Sequence, residues 1–193
     1  MIEEHNFLTD KEQETIKDEI IESSYFPWFW TPVSSSDDYP FFCHVLKSRG
    51  QEGVNSDWFN FFYPIVQRFI EKHKLFKGKY EAIRGAVNHT LSLDESCDPH
   101  VDFEEDHLVF IMYLTNSSGN TDIYTEKWEE GKLPEYLNRD GKKNLEIQES
   151  ISPEKGKMIC FNGLNYHSVK FQKPKERRLI CIFAIKGEQN VVL

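Results

Sequence analysis

Two separated segments of this chain carry residues that could bind one metal ion together. The first is His100-Val101-Asp102, a His-x-Asp pair, and the second supplies His167, which follows a strand-like run much later in the chain. Two imidazoles and one carboxylate on one face of an octahedron leave three positions open, and this ligand set suits non-haem Fe(II). The residue types and their order therefore predict an open iron site for oxidative chemistry.

Two arginines follow the distal histidine. Arg177 and Arg178 lie at the start of the apolar run 179–185. A guanidinium at this place could bind a dicarboxylate cosubstrate through two parallel hydrogen bonds. Because successive side chains on a strand point to opposite faces, only one of the two arginines can point into a site.

The spacing of the first pair fits a strand. Residues i and i+2 share a face, so His100 and Asp102 would project together while Val101 packs behind them. A competing interpretation joins Cys97 and His100 as zinc ligands, but the sequence has no second Cys or His pair at the spacing of a zinc ribbon.

Composition limits the class of protein. A chain of 193 residues with 14% aromatic and 28% charged residues is typical of one globular domain. The net charge of -9 argues against general binding of nucleic acid or anionic membranes. The N-terminus lacks the pattern of a signal peptide, and the longest apolar stretch is far too short to span a bilayer. With no Cys-x-x-Cys among its four cysteines, we expect a cytoplasmic protein in a reducing compartment.

The patterns predict helices first and strands afterwards. Thr9 and Glu12 form a capping box that opens a helix to about Glu22, and a second helix is expected from Asp57 to about Lys74, capped by Ser56. Short strands separated by turns are expected at 81–93, 101–102, 107–114, 121–124, 145–150, 157–161, 168–171 and 178–185. The polar stretch 127–143 is predicted to be an insertion loop and a candidate substrate lid. We therefore expect a single domain, 1–193, with a helical support region at 1–79 and a β core at 80–193.

Between residues 80 and 186 the chain resembles the Fe(II)/2-oxoglutarate-dependent oxygenases, especially the prolyl-4-hydroxylase-like branch. The resemblance rests on the His-Val-Asp pair, the strand that contains Tyr113, the turn at 118–122, the segment 152–161, and His-Ser-Val with the late arginine. It implies a mainly β (α+β) fold with N-terminal helices and a double-stranded β-helix, or jelly-roll, cupin-like core. It also implies His100, Asp102 and His167 as the Fe(II) ligands. The turn departs from the family, whose members more often carry paired glycines there.

The resemblance further implies how a cosubstrate is bound. In such enzymes 2-oxoglutarate chelates the iron, and its C5 carboxylate meets a basic side chain from the strand after the distal histidine. We favour Arg178 over Arg177 because it directly adjoins the final apolar strand. Tyr113 resembles a tyrosine that donates its hydroxyl to a cosubstrate carboxylate, although a packed core aromatic explains it equally well. The implied cofactors are Fe(II), 2-oxoglutarate as cosubstrate and O2 as substrate, with ascorbate as a further candidate.

The expected activity is that of a dioxygenase that hydroxylates an unactivated C–H bond in a peptide or small molecule. A peptidyl prolyl residue is the candidate that analogy offers. Two alternatives stay open: a non-catalytic cupin-like binding module, and a zinc hydrolase with water as the fourth ligand. The late arginine weighs against hydrolysis, which has no need of a fixed dicarboxylate partner.

Overall fold

The computed structural model describes residues 1–32, 39–93, 96–131 and 145–193. Most of the candidate lid at 127–143 therefore lies outside the described residues. Across the described ranges the chain forms two α-helices, one π-helical turn and ten strands. This content agrees with the predicted mainly β fold with N-terminal helices.

The first helix begins as predicted, and the second begins two residues late. In α1 (Asp10–Ile16) the Thr9 hydroxyl accepts from the Glu12 amide at 3.3 Å, and the Glu12 carboxylate accepts from the Thr9 amide at 2.8 Å. A π-helical turn, Lys17–Ile21, continues it. The second helix, α2, is Phe59–His73. Ser56 accepts from the Trp58 amide at 3.2 Å and so supports the turn before α2 instead of capping the helix.

The strands form two antiparallel sheets. Their bounds are β1 Ile2–Glu4, β2 Phe29–Thr31, β3 Phe41–Lys47, β4 Phe76–Thr90, β5 Leu108–Tyr113, β6 Thr121–Lys127, β7 Ile147–Ile151, β8 Met158–Asn162, β9 Asn165–Val169 and β10 Arg178–Gln189. The larger sheet has the order β1-β8-β5-β10-β4-β3-β2, and the smaller sheet has the order β7-β6-β9. Strands that are distant in sequence are thus neighbours, and both ends of the chain contribute to one sheet.

Two sequence predictions are wrong in detail. The region 1–79 is not only helical, because β1, β2 and β3 all join the large sheet, and β1 pairs with β8 more than 150 residues later. Its segments are too short or too irregular to show an alternating pattern. The predicted strand at 101–102 is also absent, since the chain there makes only an isolated bridge between His100 and His167.

The central strands β5, β8 and β10 of the large sheet are buried on both faces. One face packs on the helices through alternate side chains of β5 and β10, such as Phe110 and Phe183, together with Phe62 and Phe69 of α2. The opposite alternate set, which includes Ile111, packs with residues of the small sheet. The cavity described below lies on this second side. In the described part of the chain, no helix has the length and apolar character needed to cross a membrane.

Candidate metal and cosubstrate site

The backbone fixes His100 and His167 opposite each other. The amide of each residue donates to the carbonyl oxygen of the other at 3.0 Å, and the ring centroids are 4.7 Å apart. Both residues and Asp102 line one cavity of about 370 Å³. The structure therefore brings the three predicted ligands together, although no regular strand carries His100 and Asp102. Val101 also lines the cavity, so the expectation that it packs behind the pair is wrong.

Both imidazoles bond to the backbone through the same nitrogen. Nδ1 of His100 donates to the carbonyl of Asp98 at 3.0 Å, and Nδ1 of His167 donates to the carbonyl of Asn165 at 3.1 Å. A carbonyl oxygen can only accept, so Nδ1 is the donor in each ring and Nε2 is the nitrogen left for a metal. Backbone carbonyls that orient metal-binding histidines in this way are a common second layer around metal centres.

One oxygen of the Asp102 carboxylate accepts hydrogen bonds, and the other has no partner among the described residues. Its Oδ1 accepts from Nη2 of Arg49 at 3.2 Å and from Nη1 of Arg84. Its Oδ2 is buried without a hydrogen-bond partner among the described residues, 3.8 Å from Nε2 of His167. A buried carboxylate oxygen without a partner costs free energy, which a bound cation would recover.

The electrostatics keep Asp102 ionised. Burial works to raise the pKa of Asp102, but Arg84 and the two histidine rings outweigh it and hold the pKa of this carboxyl well below its usual range. The histidines differ from each other. Burial and the adjacent His100 lower the pKa of His167 to about 4, whereas Cys97 and Asp102 overcome burial and raise the pKa of His100 to about 9.

The three side chains are close to a ligand arrangement but not closed into one. No three His, Cys, Asp or Glu side chains in the described ranges stand at metal-binding distances. Two ligands at right angles, each with a bond of about 2.1 Å, have donor atoms about 3 Å apart. The 3.8 Å from Asp102 Oδ2 to His167 Nε2 must therefore shorten by about 0.8 Å, a movement that side-chain rotation can supply.

Arg178 lines the same cavity, and Arg177 does not. Arg178 is 0% exposed, and its Nε donates to the carbonyl of Gly119 while its Nη2 donates to the hydroxyl of Thr121, both at 2.8 Å. Its Nη1 is buried with no partner in the parts of the chain that the structure describes. Arg177 is exposed and donates to the carbonyl of Ile21 at 2.9 Å.

Tyr113 stands behind the cavity wall. Its hydroxyl donates to Thr121 at 2.8 Å, and burial raises the pKa of Tyr113 to about 12. Tyr113 is not among the residues that line the cavity, whereas Thr121 is. The hydroxyl that we expected to meet a carboxylate therefore donates to Thr121 instead. Thr121 accepts from both Tyr113 and Arg178, and its own hydrogen has no acceptor among the described residues.

Among the described residues, no third His, Cys, Asp or Glu side chain joins Cys97 and His100 at metal-binding distances. Cys97 lines the cavity, and its sulfur accepts from the amide of Val169 at 2.9 Å. The four cysteines are free and buried, at positions 43, 97, 160 and 181. Cys97 therefore helps to hold the start of the 97–102 segment against β9.

Sequence reasoning missed Arg49 and Arg84. Arg84 could have been noticed, because it is a charged residue within the small and apolar strand segment Ala82-Ile83-Arg84-Gly85-Ala86. Arg49 follows β3 in a polar loop and carries no comparable signal. Their shared contact with Asp102 depends on the tertiary fold.

Comparison with known proteins supports a shared fold. The sequence matches no protein-family model and no curated protein. Among solved structures, an oxidoreductase of the 2OG-Fe(II) oxygenase family from Burkholderia pseudomallei is 13% identical, with a TM-score of 0.61 over 97% of this chain and 84% of that chain. The viral collagen prolyl hydroxylase of Paramecium Bursaria Chlorella virus-1 is 15% identical, with a TM-score of 0.58 over 96% of this chain and 95% of the other.

The third comparison is with an enzyme of different activity. The non-haem alpha-ketoglutarate-dependent epimerase SnoN from nogalamycin biosynthesis is 11% identical, with a TM-score of 0.68 over 96% of this chain and 78% of that chain. At these identities the likeness concerns the fold, which is the double-stranded β-helix of 2-oxoglutarate-dependent oxygenases. The predicted fold class is confirmed.

Proposed function

We propose that this protein is an Fe(II)- and 2-oxoglutarate-dependent oxygenase that hydroxylates an unactivated C–H bond. His100, Asp102 and His167 would bind the metal, and Arg178 would bind the C5 carboxylate of 2-oxoglutarate. The observation that carries the proposal is Nη1 of Arg178, a buried cationic donor that has no partner among the described residues. Its side chain lines the same cavity as the three metal-ligand candidates. A buried guanidinium needs an anion, and a dicarboxylate that spans the cavity would supply it.

The residues present fit both groups. The Nε2 atoms of His100 and His167 and the unpartnered Oδ2 of Asp102 form the donor set that Fe(II) takes in a facial arrangement. Because the pKa of His100 is raised, the metal would displace a proton from its Nε2. When bound, iron and 2-oxoglutarate supply the activation of O2, with release of succinate and CO2 and hydroxylation of the substrate. The protein supplies the binding, the orientation and the exclusion of water.

Thr121 extends the carboxylate site. Because Tyr113 and Arg178 both donate to its oxygen, its own hydrogen is left to donate into the cavity. A carboxylate beside Nη1 of Arg178 would accept this second bond. Tyr113 and Gly119 then act indirectly, since they fix the orientation of Thr121 and of the Arg178 guanidinium.

The substrate class is taken from the structural neighbours. One is a collagen prolyl hydroxylase and another acts in nogalamycin biosynthesis, so a peptide and a small molecule are both represented. We propose a peptide or small-molecule substrate, a peptidyl prolyl residue included, for a single-domain cytoplasmic enzyme. O2 would be the second substrate, and ascorbate would keep the iron reduced.

The zinc hydrolase and the binding module are tested by substituting Co(II) for iron. A six-coordinate Co(II) site absorbs visible light weakly, whereas a four-coordinate site absorbs strongly, and a bound thiolate adds an intense band. We expect weak bands that change when 2-oxoglutarate is added and that disappear in His167→Ala. Cys97→Ala is the matched control and should leave the spectrum unchanged. A strong four-coordinate spectrum that ignores 2-oxoglutarate would favour the hydrolase, and no spectrum at all would favour the binding module.

A further inference from the structure

Two arginines that line the cavity contact the metal-ligand candidate Asp102. Arg84 extends from β4 and Arg49 from the loop after β3, and both donate to the same oxygen of Asp102. They also border a smaller depression of about 180 Å³ next to the main cavity. The Arg49 side chain is 53% exposed, so an incoming molecule can reach its guanidinium.

The position of Arg49 is defined by its surroundings. Its guanidinium lies over the ring of Phe103 at 4.5 Å. Its loop is held by Lys47, whose ammonium donates to the carbonyls of Gln51 and Gly53, and by Asn55, which accepts from the Ser48 amide at 2.6 Å. These contacts limit the conformational freedom that Arg49 loses when a ligand binds.

The charges of the loaded site leave these two arginines without compensation. Asp102 alone is acidic among the described residues that line the cavity. Bound Fe(II), the Asp102 carboxylate, the two carboxylates of 2-oxoglutarate and Arg178 together carry no net charge. Arg49 and Arg84 then remain as two cations beside a carboxylate whose charge is already shared with the metal. Two adjacent uncompensated cations favour an anion between them.

We infer that the substrate carries a carboxylate, or a similar oxyanion, that binds Arg49 and Arg84 beside the metal. This inference rests on the proposed function and names the substrate class of the same site. Most of the remaining cavity wall is apolar or aromatic, with Tyr39, Phe41, Phe171 and Ile182 among its residues, although Asn88 and Thr90 also contribute to it. The substrate is therefore an organic acid with an apolar or aromatic body, either free or presented as the acidic side chain of a peptide. One of its C–H bonds would lie next to the metal because its anionic group is held beside Asp102.

Two matched pairs of probes separate charge from shape and a free acid from a peptide. The first pair is 3-phenylpropionate and 3-phenylpropanamide, and the second is acetyl-Glu-Pro-amide and acetyl-Gln-Pro-amide. Each probe is added to the full-length protein loaded with Mn(II) and 2-oxoglutarate without oxygen. The paramagnetic broadening of the probe's proton NMR signals reports both its affinity and its distance from the metal. Loading with Mn(II) and 2-oxoglutarate is verified first, so a failure of the proposed function shows at that step.

In at least one pair we expect the acid to bind at least tenfold more tightly than its neutral analogue, because a charge-assisted hydrogen bond has this effect. Arg49→Gln should remove the preference when it is measured at concentrations of Mn(II) and 2-oxoglutarate that saturate the variant, because Arg49 also contacts the metal-ligand candidate Asp102. Lys77→Gln is the control for loss of one positive charge, since Lys77 is exposed and pairs with Glu188. The responding pair identifies the source of the carboxylate.

Three results would overturn the inference while the proposed function stands. In the first result, each acid and its amide bind with equal affinity. In the second, the preference for the acid persists in Arg49→Gln. In the third, neither acid binds with a Kd below 10 mM, which is about the limit of measurable affinity for such probes. Arg84→Gln provides a second check, because it should weaken the acid preference and also metal binding through Asp102.

Discussion

Replacing Arg178 with methionine separates a structural role of this side chain from a role in binding. The guanidinium is fully buried, and its partners are one carbonyl oxygen and one hydroxyl. Burial lowers the pKa of Arg178, and no carboxylate of the described residues forms an ion pair with it. The protein without 2-oxoglutarate thus holds a cation whose charge is not compensated.

The expected change in stability follows from two opposing contributions. Burial of an unpaired charge costs several kcal/mol. Two hydrogen bonds from a charged donor recover about 1.5–3 kcal/mol each. Because these contributions nearly cancel, Arg178→Met should change the free energy of unfolding of the protein without 2-oxoglutarate by no more than about 2 kcal/mol. Removal of one member of a structural buried ion pair would instead cost about 3–5 kcal/mol.

The binding effect should be large and is measured by thermal unfolding with Mn(II) in the absence of oxygen. At a concentration 100 times its Kd, 2-oxoglutarate should stabilise the wild-type protein by about 2.7 kcal/mol. A hundredfold loss of affinity leaves about 0.4 kcal/mol. For a chain of this length the shift in Tm should fall from about 5–10 °C to about 2 °C or less. Arg178→Lys keeps the charge without the planar fork and should lie between the two.

One outcome would refute this reasoning. It is a variant that loses more than about 3 kcal/mol of stability without 2-oxoglutarate and yet retains the full 2-oxoglutarate shift. Arg178 would then be a structural residue, and its free Nη1 would have no bearing on the cosubstrate.

Three further predictions concern the surroundings of the site and the N-terminal helix. Gly119→Ala should destabilise the fold by about 1–3 kcal/mol in urea unfolding, because its Cβ would lie 2.6 Å from a backbone carbonyl oxygen. Gly78→Ala is the control and should be neutral, because its Cβ would meet nothing within 4 Å. Thr121→Val should weaken 2-oxoglutarate binding about tenfold in calorimetry, since it removes the hydrogen bond to the carboxylate while keeping the shape; unchanged affinity would exclude that bond. Burial raises the pKa of Glu12, but Arg68 and the Thr9 cap lower it by more, so this carboxylate stabilises the fold above its unfolded pKa. Glu12→Gln should therefore lower the free energy of unfolding by about 1 kcal/mol at pH 7. The difference in stability between variant and wild type should vanish as the pH falls through the lowered pKa of folded Glu12. A stability difference that persists at low pH would contradict the assignment.

The helices and core strands could be predicted because their signals are local. The capping box needs only four residues, and β5, β8 and β10 are dense apolar runs bounded by turns. The strand β1 could not be predicted, since three residues with two glutamates become a strand only by pairing with β8 across the fold.

The site shows the same division between local and tertiary information. His100, Asp102 and His167 could be proposed as metal ligands because residue type and order carry that signal, and the structure places all three on one cavity. The alternation of side chains along β10 could not show which of Arg177 and Arg178 points inward. Both faces of β10 are apolar and buried, so the pattern does not distinguish the inward from the outward arginine. Arg49 and Arg84 precede Asp102 by 53 and 18 positions in the sequence, so only the folded chain shows that they contact it.

The central claim is that His100, Asp102 and His167 bind Fe(II), and that 2-oxoglutarate binds this iron in the cavity that Arg178 lines. It is tested most directly by titrating the metal-free protein with Fe(II) and then 2-oxoglutarate without oxygen, while the visible charge-transfer band of the chelate is followed. We predict a band at one equivalent of iron in the wild-type protein, no band in His167→Ala, and a band that needs about a hundredfold more 2-oxoglutarate in Arg178→Met. A wild-type protein that binds Fe(II) but develops no band at saturating 2-oxoglutarate would contradict the claim.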